Sequence, residues 1–213
     1  LALLPDGEFI VGFEREHRLL RYPAGTGRPD GIPVPCPAPP GLEGAPFNGG
    51  VEAGQRVLVT GCGPIGALSI AAARTRGVTD IVASEPHPTR RALAERLGAT
   101  VVTPDDLPKP GMPFDLVDDP FDVALECSGH GVAMETALAQ LKRGGSLVLV
   151  GAGMSWPRFD NNRILLNELV ITGPFVYDPD GFPRALELLA SPDFPTGVLI
   201  ESRDVPLGGL YDA

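Results

Sequence analysis

The sequence predicts an α/β fold, a doubly wound parallel sheet of the Rossmann type, and three observations carry that prediction. An apolar run, Val57-Leu58-Val59-Thr60, leads directly into Gly61-Cys62-Gly63-Pro64-Ile65-Gly66, a G-x-G-x-x-G turn followed by an Ala-rich helical stretch. A second apolar run, Asp80-Ile81-Val82-Ala83-Ser84, is closed by Glu85, about 20 residues beyond the glycines. From Val51 onward, strand-length apolar runs alternate with helical patterns, the rhythm of βαβ units.

The elements follow in order. Residues 1–20 hold one strand or hairpin around Leu3 and Phe9-Ile10-Val11, with Asp6-Gly7 as a turn signal. Residues 21–50 contain eight Pro and seven Gly, which rules out a long helix or a central strand and reads as irregular coil or linker. Strands are predicted at 56–60, 80–84, 100–102, 122–126, 146–150 and 169–173. The early ones are continuously apolar, as strands buried on both faces are. Helices are predicted at 64–76, 88–97, 131–141 and 179–190. The first carries Ala71-Ala72-Ala73 for close sheet packing, and the second pairs Leu93 with Leu97. The third sets Met134, Ala137, Leu138 and Leu141 on one face and stops at Gly144-Gly145. The fourth opens on Asp178-Pro179 and carries Phe182, Ala185, Leu186 and Leu189. The chain opens on Leu1 rather than Met, and residues 207–213 look like the start of a further helix, so it reads as a piece of a longer protein.

Composition narrows the function. A net charge of −10 over 213 residues argues against nucleic-acid binding, which needs a basic face. No apolar run reaches membrane-spanning length and no signal-peptide pattern opens the chain, so no membrane partner is expected. Cys36, Cys62 and Cys127 are odd in number and widely spaced, which points to a reducing, cytoplasmic setting. No Cys-x-x-Cys or His-x-x-x-His pair offers a metal site. Glu14, Glu16 and His17 are the nearest thing to one, but no Cys lies close by to complete it, Cys36 being the nearest, and a His beside Arg15 and Glu16 reads as a solvated surface residue.

The glycine turn has a physical logic. Gly61 permits a tight strand-to-helix turn, Gly63 lets backbone approach a pyrophosphate, and Gly66 lets helix and strand pack closely. Pro64 suits the first helical position, where its missing N–H is no loss. The phosphates then meet the helix N-terminus with its unpaired N–H groups. Glu85 can accept hydrogen bonds from a ribose 2′-OH and repels a 2′-phosphate, which favours NAD(H) over NADP(H), while Arg90 and Arg91 are the counter-argument. A methyltransferase also uses a glycine-rich turn, but usually with an acid just before it, where this chain has Thr60. Cys62 reads as packed rather than reactive, and so does Cys127. His87, His130 and Trp156 lie close to the site in sequence, and the residue pattern assigns them no chemistry.

Several segments together resemble the zinc-type medium-chain alcohol dehydrogenase superfamily. They are Val51-Glu52-Ala53-Gly54-Gln55-Arg56-Val57 running into the glycine turn, residues 91–99, Asp122-Val123-Ala124-Leu125-Glu126-Cys127-Ser128-Gly129, residues 141–151 and residues 167–173. Gly-Cys-Gly-Pro-Ile-Gly is most similar to the alcohol, polyol, threonine and glucose dehydrogenase branches. The resemblance implies that Gly61, Gly63, Pro64, Ile65 and Gly66 cradle the pyrophosphate, that Glu85 holds the adenosine ribose and that Arg90 flanks the adenosine. It implies that Cys127 and Ser128 border the cofactor, that Val150, Gly151 and Ala152 line the nicotinamide, and that Phe175 and Val176 offer backbone groups to its carboxamide. It divides the chain into 1–50, a remnant of a catalytic domain or an irregular linker, and 51–213, a cofactor domain with an incomplete C-terminus. The first segment stands where the superfamily has a GroES-like domain. The superfamily's Cys-Gly-x-Asp and Gly-His-Glu zinc motifs are absent, so zinc is expected of the family while no ligand set is expected here. The implied function is NAD(H)-dependent dehydrogenation of a small alcohol or carbonyl substrate, the alternative being an inactive dinucleotide-binding fragment. The resemblance also implies a homodimer through strand 169–173, an apolar edge without Lys or internal Pro.

Overall fold

The computed structural model describes residues 51–174 and 181–200, together with the backbone of four short strands before residue 36. The chain splits into two compact units, Leu1–Ala45 and Pro46–Ala213.

The first unit contains an antiparallel sheet of β1 (Ala2–Leu3), β2 (Phe9–Phe13), β3 (Arg18–Tyr22) and β4 (Pro33–Pro35), in that spatial order. The hairpin expected around Leu3 and Phe9 forms, with Ala2 opposite Ile10 and Leu3 opposite Phe9. The reading of 21–50 as coil is corrected at two places: β3 runs on to Tyr22, and Pro33-Val34-Pro35 pairs with Arg18–Leu20. The two prolines are tolerated because β4 is an edge strand with one neighbour, where a missing N–H can face away from the ladder.

The second unit is a six-stranded, all-parallel sheet. Its elements are β5 (Arg56–Thr60), α1 (Pro64–Thr75), β6 (Asp80–Ser84), α2 (Pro88–Arg96), β7 (Thr100–Val102), β8 (Phe121–Glu126), α3 (Gly131–Ala139), β9 (Leu141–Leu149), α4 (Asn161–Leu166), β10 (Val170–Thr172), α5 (Gly181–Ala190) and α6 (Thr196–Leu199). The strand order is β10-β9-β8-β5-β6-β7, the doubly wound arrangement. Strand pleating explains how both faces are buried. On β5, Val57 and Val59 join a core under α1 and α2 with Ile70, Ala71 and Ala94, while Leu58 between them joins a second core with Ala137 and Leu138 of α3. Burying each such Val or Leu side chain is worth roughly 1.5–3 kcal/mol.

Two differences from the sequence prediction have local causes. α3 ends at Ala139, two residues early, because Leu141 already pairs with Phe121 as the first residue of β9. β9 then bulges before Ser146 meets Val123, and Gly144 takes the left-handed conformation there (φ 71°). α4 was not predicted. Asp160 caps it by accepting the N–H groups of Asn162 (3.0 Å) and Arg163 (3.3 Å), a signal six residues of helix are too short to reinforce by periodicity. The crossover between β7 and β8 has no α-helix. Its coil is held by buried side chains instead: Arg163 donates to the carbonyls of Met112 (2.6 Å) and Asp115 (2.8 Å), Asn167 to Pro113 (2.8 Å) and Gln140 to Pro108 (2.7 Å).

Candidate functional site

The strand order reverses between β5 and β8, and open α/β sheets bind ligands outside the carboxyl ends of the strands at such a point. The candidate site therefore lies beyond Thr60, Ser84, Glu126 and Leu149, which are level across the sheet.

The turn from β5 to α1 is built as its glycines require. Gly61 has φ 83°, and its N–H donates to the Ser84 carbonyl at 2.9 Å. A Cβ on Gly66 would fall on the Gly61 carbonyl, so turn and helix touch backbone to backbone. Gly63 has ordinary dihedrals (φ −66°, ψ −170°) and nothing within 4 Å of where its Cβ would lie. The space above it is open. Gly63 is also the N-cap of α1, Pro64 is the first helical residue, no side chain caps the helix and its first turn holds no acid. The N–H groups of this first turn thus have no intrahelical partner and face a free approach. Ile65 is exposed beside them. These features fit a pyrophosphate.

Glu85 differs from its expected role in one respect: it is 2 % exposed and already engaged. Its two oxygens accept the N–H of Cys62 at 2.7 Å and the N–H of His87 at 2.8 Å. Each carboxylate oxygen keeps a second lone pair. Glu85 thus ties the glycine turn to the exit of β6. Arg90 is exposed on α2, whereas Arg91 donates to the carbonyls of Glu85 (2.7 Å) and Pro86 (2.6 Å). His87 is the exposed N-cap residue of α2.

On the other side of β5, Cys127 donates its N–H to the Thr60 carbonyl at 2.8 Å, and its sulfur lies 3.6 Å from the Ser69 hydroxyl. Burial pushes the Cys127 thiol up to about 11. Burial, aided by the Glu85 carboxylate, pushes that of Cys62 up to about 12. Both remain thiols at neutral pH, in keeping with packing roles. Ser128 is exposed at the rim, and a Cβ on Gly61 would collide with it. Val150 and Gly151 both donate their N–H to the Glu126 carbonyl, at 2.8 and 2.7 Å, and Ala152 follows exposed. His130 is the exposed N-cap residue of α3. Trp156 is 92 % exposed on the loop after β9. Phe175 and Val176 lie outside the described residues, as do Glu14, Glu16, His17 and Cys36.

One residue at this rim was missed as a site residue. Glu126, the last residue of β8, is fully buried, and its carboxylate accepts the N–H groups of Ser128 and Gly129. The available signal was that it closes an apolar strand, as Glu85 does.

Residues 64–191, more than half of the chain, match the zinc-binding dehydrogenase family. The chain belongs to that family, within the medium-chain dehydrogenase superfamily. It is 32 % identical over 148 residues to the sorbitol dehydrogenase of Macaca fascicularis, an alignment covering 68 % of this chain and 41 % of that relative. Among solved structures it resembles the 2R,3R-butanediol dehydrogenase of Bacillus subtilis, with TM-score 0.61 and 31 % identity over 71 % of this chain and 44 % of that one. It also resembles a putative zinc-binding dehydrogenase of Sinorhizobium meliloti 1021 bound to NADP, with TM-score 0.59 and 29 % identity over 72 % and 45 %. The chain thus spans less than half the length of these relatives. For the metal of the family name, no group of three or more His, Cys, Asp or Glu able to hold an ion occurs among the described residues. The described residues do not fit zinc. No helix among them is long and apolar enough to cross a membrane.

Proposed function

We propose that this chain forms the dinucleotide-binding part of an NAD(H)-dependent alcohol or polyol dehydrogenase, which moves hydride between nicotinamide and the hydroxyl-bearing or carbonyl carbon of a small substrate. The observation that carries this reading is the open space over Gly63 at the uncapped N-terminus of α1, beside the switch point of the sheet. When bound, the nicotinamide ring supplies the hydride chemistry. The chain's own work is placement. The first-turn N–H groups of α1 receive the pyrophosphate, with Gly61, Gly63, Pro64, Ile65 and Gly66 shaping the approach. The remaining lone pairs of Glu85 receive a ribose hydroxyl, and its charge disfavours a 2′-phosphate. Arg90 flanks the adenosine. Cys127, Ser128, Val150, Gly151 and Ala152 border the nicotinamide side, with Phe175 and Val176 beyond.

The family membership and the polyol dehydrogenases among the relatives support the substrate class. Two buried or half-buried free thiols suit a cytoplasmic setting. The edge position of β10, with Val170 half exposed, supports a homodimer that continues the sheet across a two-fold axis. The test is titration of the chain with NADH, followed by assay of NAD+ reduction with a panel of diols and polyols. Binding with turnover supports the whole reading. Binding without turnover supports the cofactor role alone. No binding overturns both.

A further inference from the structure

Glu126 is fully buried and carries a carboxylate, and its hydrogen-bond partners among the described residues are N–H and hydroxyl groups. One oxygen, Oε1, accepts the Ser128 N–H at 2.9 Å, the Ser128 hydroxyl, and the Thr60 hydroxyl at 3.5 Å. The other, Oε2, accepts the Gly129 N–H at 3.0 Å. Its main-chain carbonyl takes the N–H groups of Val150 and Gly151. One residue therefore ties together the ends of β5, β8 and β9. The turn it holds interlocks with the exit of β9. Gly129 has φ 70°, a Cβ on Gly151 or Gly153 would strike the Gly129 backbone, and a Cβ on Gly129 would strike Ala152. Two loops pack here without side chains between them, so a shift of the turn is transmitted directly to residues 151–153.

We propose that Glu126 is a positioning residue which preforms the nicotinamide side of the cofactor site by fixing the Ser128–Gly129 turn and, through it, Val150–Gly153. This rests on the dinucleotide reading above. The carboxylate is suited to the task because it only accepts. Hydroxyl donors can rotate away, but the N–H groups of Ser128 and Gly129 cannot, and they address different oxygens. An amide at this position turns a donor toward one of those two N–H groups in either orientation. Glu85, proposed for the adenosine side, has no bond to Glu126 and is held instead through Cys62 and His87.

The experiment compares NADH and 5′-AMP binding by calorimetry to the 213-residue chain and to Glu126→Gln. The expected result is an NADH Kd raised about tenfold or more with an AMP Kd unchanged within about twofold, a split that general loss of structure does not produce. Equal NADH affinity in both proteins overturns the inference and leaves the dinucleotide reading standing, as does an equal weakening of both ligands. A parent chain that binds neither ligand overturns the reading and the inference with it. Amide exchange in the parent chain without ligand decides the matter if Glu126→Gln does not fold. Slow exchange at Ser128 and Gly129 supports a preformed turn, and fast exchange contradicts it.

Discussion

Glu85 and Glu126 flank the central strand at nearly the same height. Glu126 lies opposite Thr60 on one side, and Glu85 follows Ser84, which lies opposite Thr60 on the other. Both are buried, and both accept backbone N–H groups. They differ in reach. Glu85 bonds across to Cys62, 23 residues away, and so couples two crossovers of the sheet. Glu126 bonds forward to the two residues that follow its neighbour and holds a turn of its own making. A carboxylate at a strand end can thus serve a ligand, a neighbouring turn or its own turn, and what distinguishes these is the register of the N–H groups around it. The half of the rim proposed for adenosine leaves a glycine turn open above a helix N-terminus. The half proposed for nicotinamide is closed, glycine against glycine.

The largest effect is expected at the open half. Gly63→Val places a branched side chain where nothing lies within 4 Å, at dihedrals any residue adopts. The fold should survive with a loss of about 1 kcal/mol from the poorer N-cap, while NADH affinity falls about a hundredfold or more. Thermal unfolding and calorimetry read the two separately, and unchanged NADH affinity would remove the pyrophosphate assignment. Next in size is cofactor choice. NADH should bind about tenfold more tightly than NADPH, and Glu85→Gln should bring the two toward parity. That substitution should also cost about 1–3 kcal/mol, because the amide faces the N–H of Cys62 or His87. A parent chain preferring NADPH would reverse the roles given to Glu85 and Arg90.

The sheet edge gives a contrast of another kind. Val170 is 50 % exposed on β10, whereas Ile171 packs into the core. Val170→Lys should therefore shift a dimer to monomer in sedimentation without unfolding the chain. A parent chain already monomeric at micromolar concentration would exclude the interface. The smallest effect lies at the opposite end of the strands. Burial works to raise the Asp122 carboxyl, but its bonds from Lys142 and from the Arg56 N–H (2.6 Å) outweigh that and hold it below the usual carboxylate range. A carboxyl lowered on folding contributes stability above its unfolded pKa of about 3.9 and loses that contribution as pH falls through the folded value. Asp122→Asn should cost about 1 kcal/mol at pH 7 in urea unfolding and less at pH 3. A cost that grows on acidification would contradict the assignment.

Much of the fold was legible. Val57-Leu58-Val59 reads as a buried strand because burial on both faces forces a continuous apolar run, and Gly61, Gly63 and Gly66 read as a turn because each meets a separate steric demand. Pro33-Val34-Pro35 was illegible as a strand because proline tolerance depends on having one neighbour rather than two, which is a property of the sheet. α4 was hidden because Arg163 is buried. Its guanidinium is matched by carbonyls of a segment about fifty residues earlier, so the helix shows no simple apolar stripe. Glu126 escaped for a related reason. Two of its partners are backbone N–H groups, which leave no mark in the side-chain pattern, and the others are the hydroxyls of Thr60 and Ser128, common residue types that single out no site.

Every role proposed for these residues requires a dinucleotide at the rim between β5 and β8. Trp156, the single tryptophan, stands exposed on the loop after β9 and serves as a fluorescence donor without a label. Titration with NADH, followed by energy transfer from Trp156 to the reduced nicotinamide, should show saturable binding of one NADH per chain, and excess AMP should displace it. A signal that rises linearly with NADH, or saturable binding that AMP leaves unaffected, would contradict it.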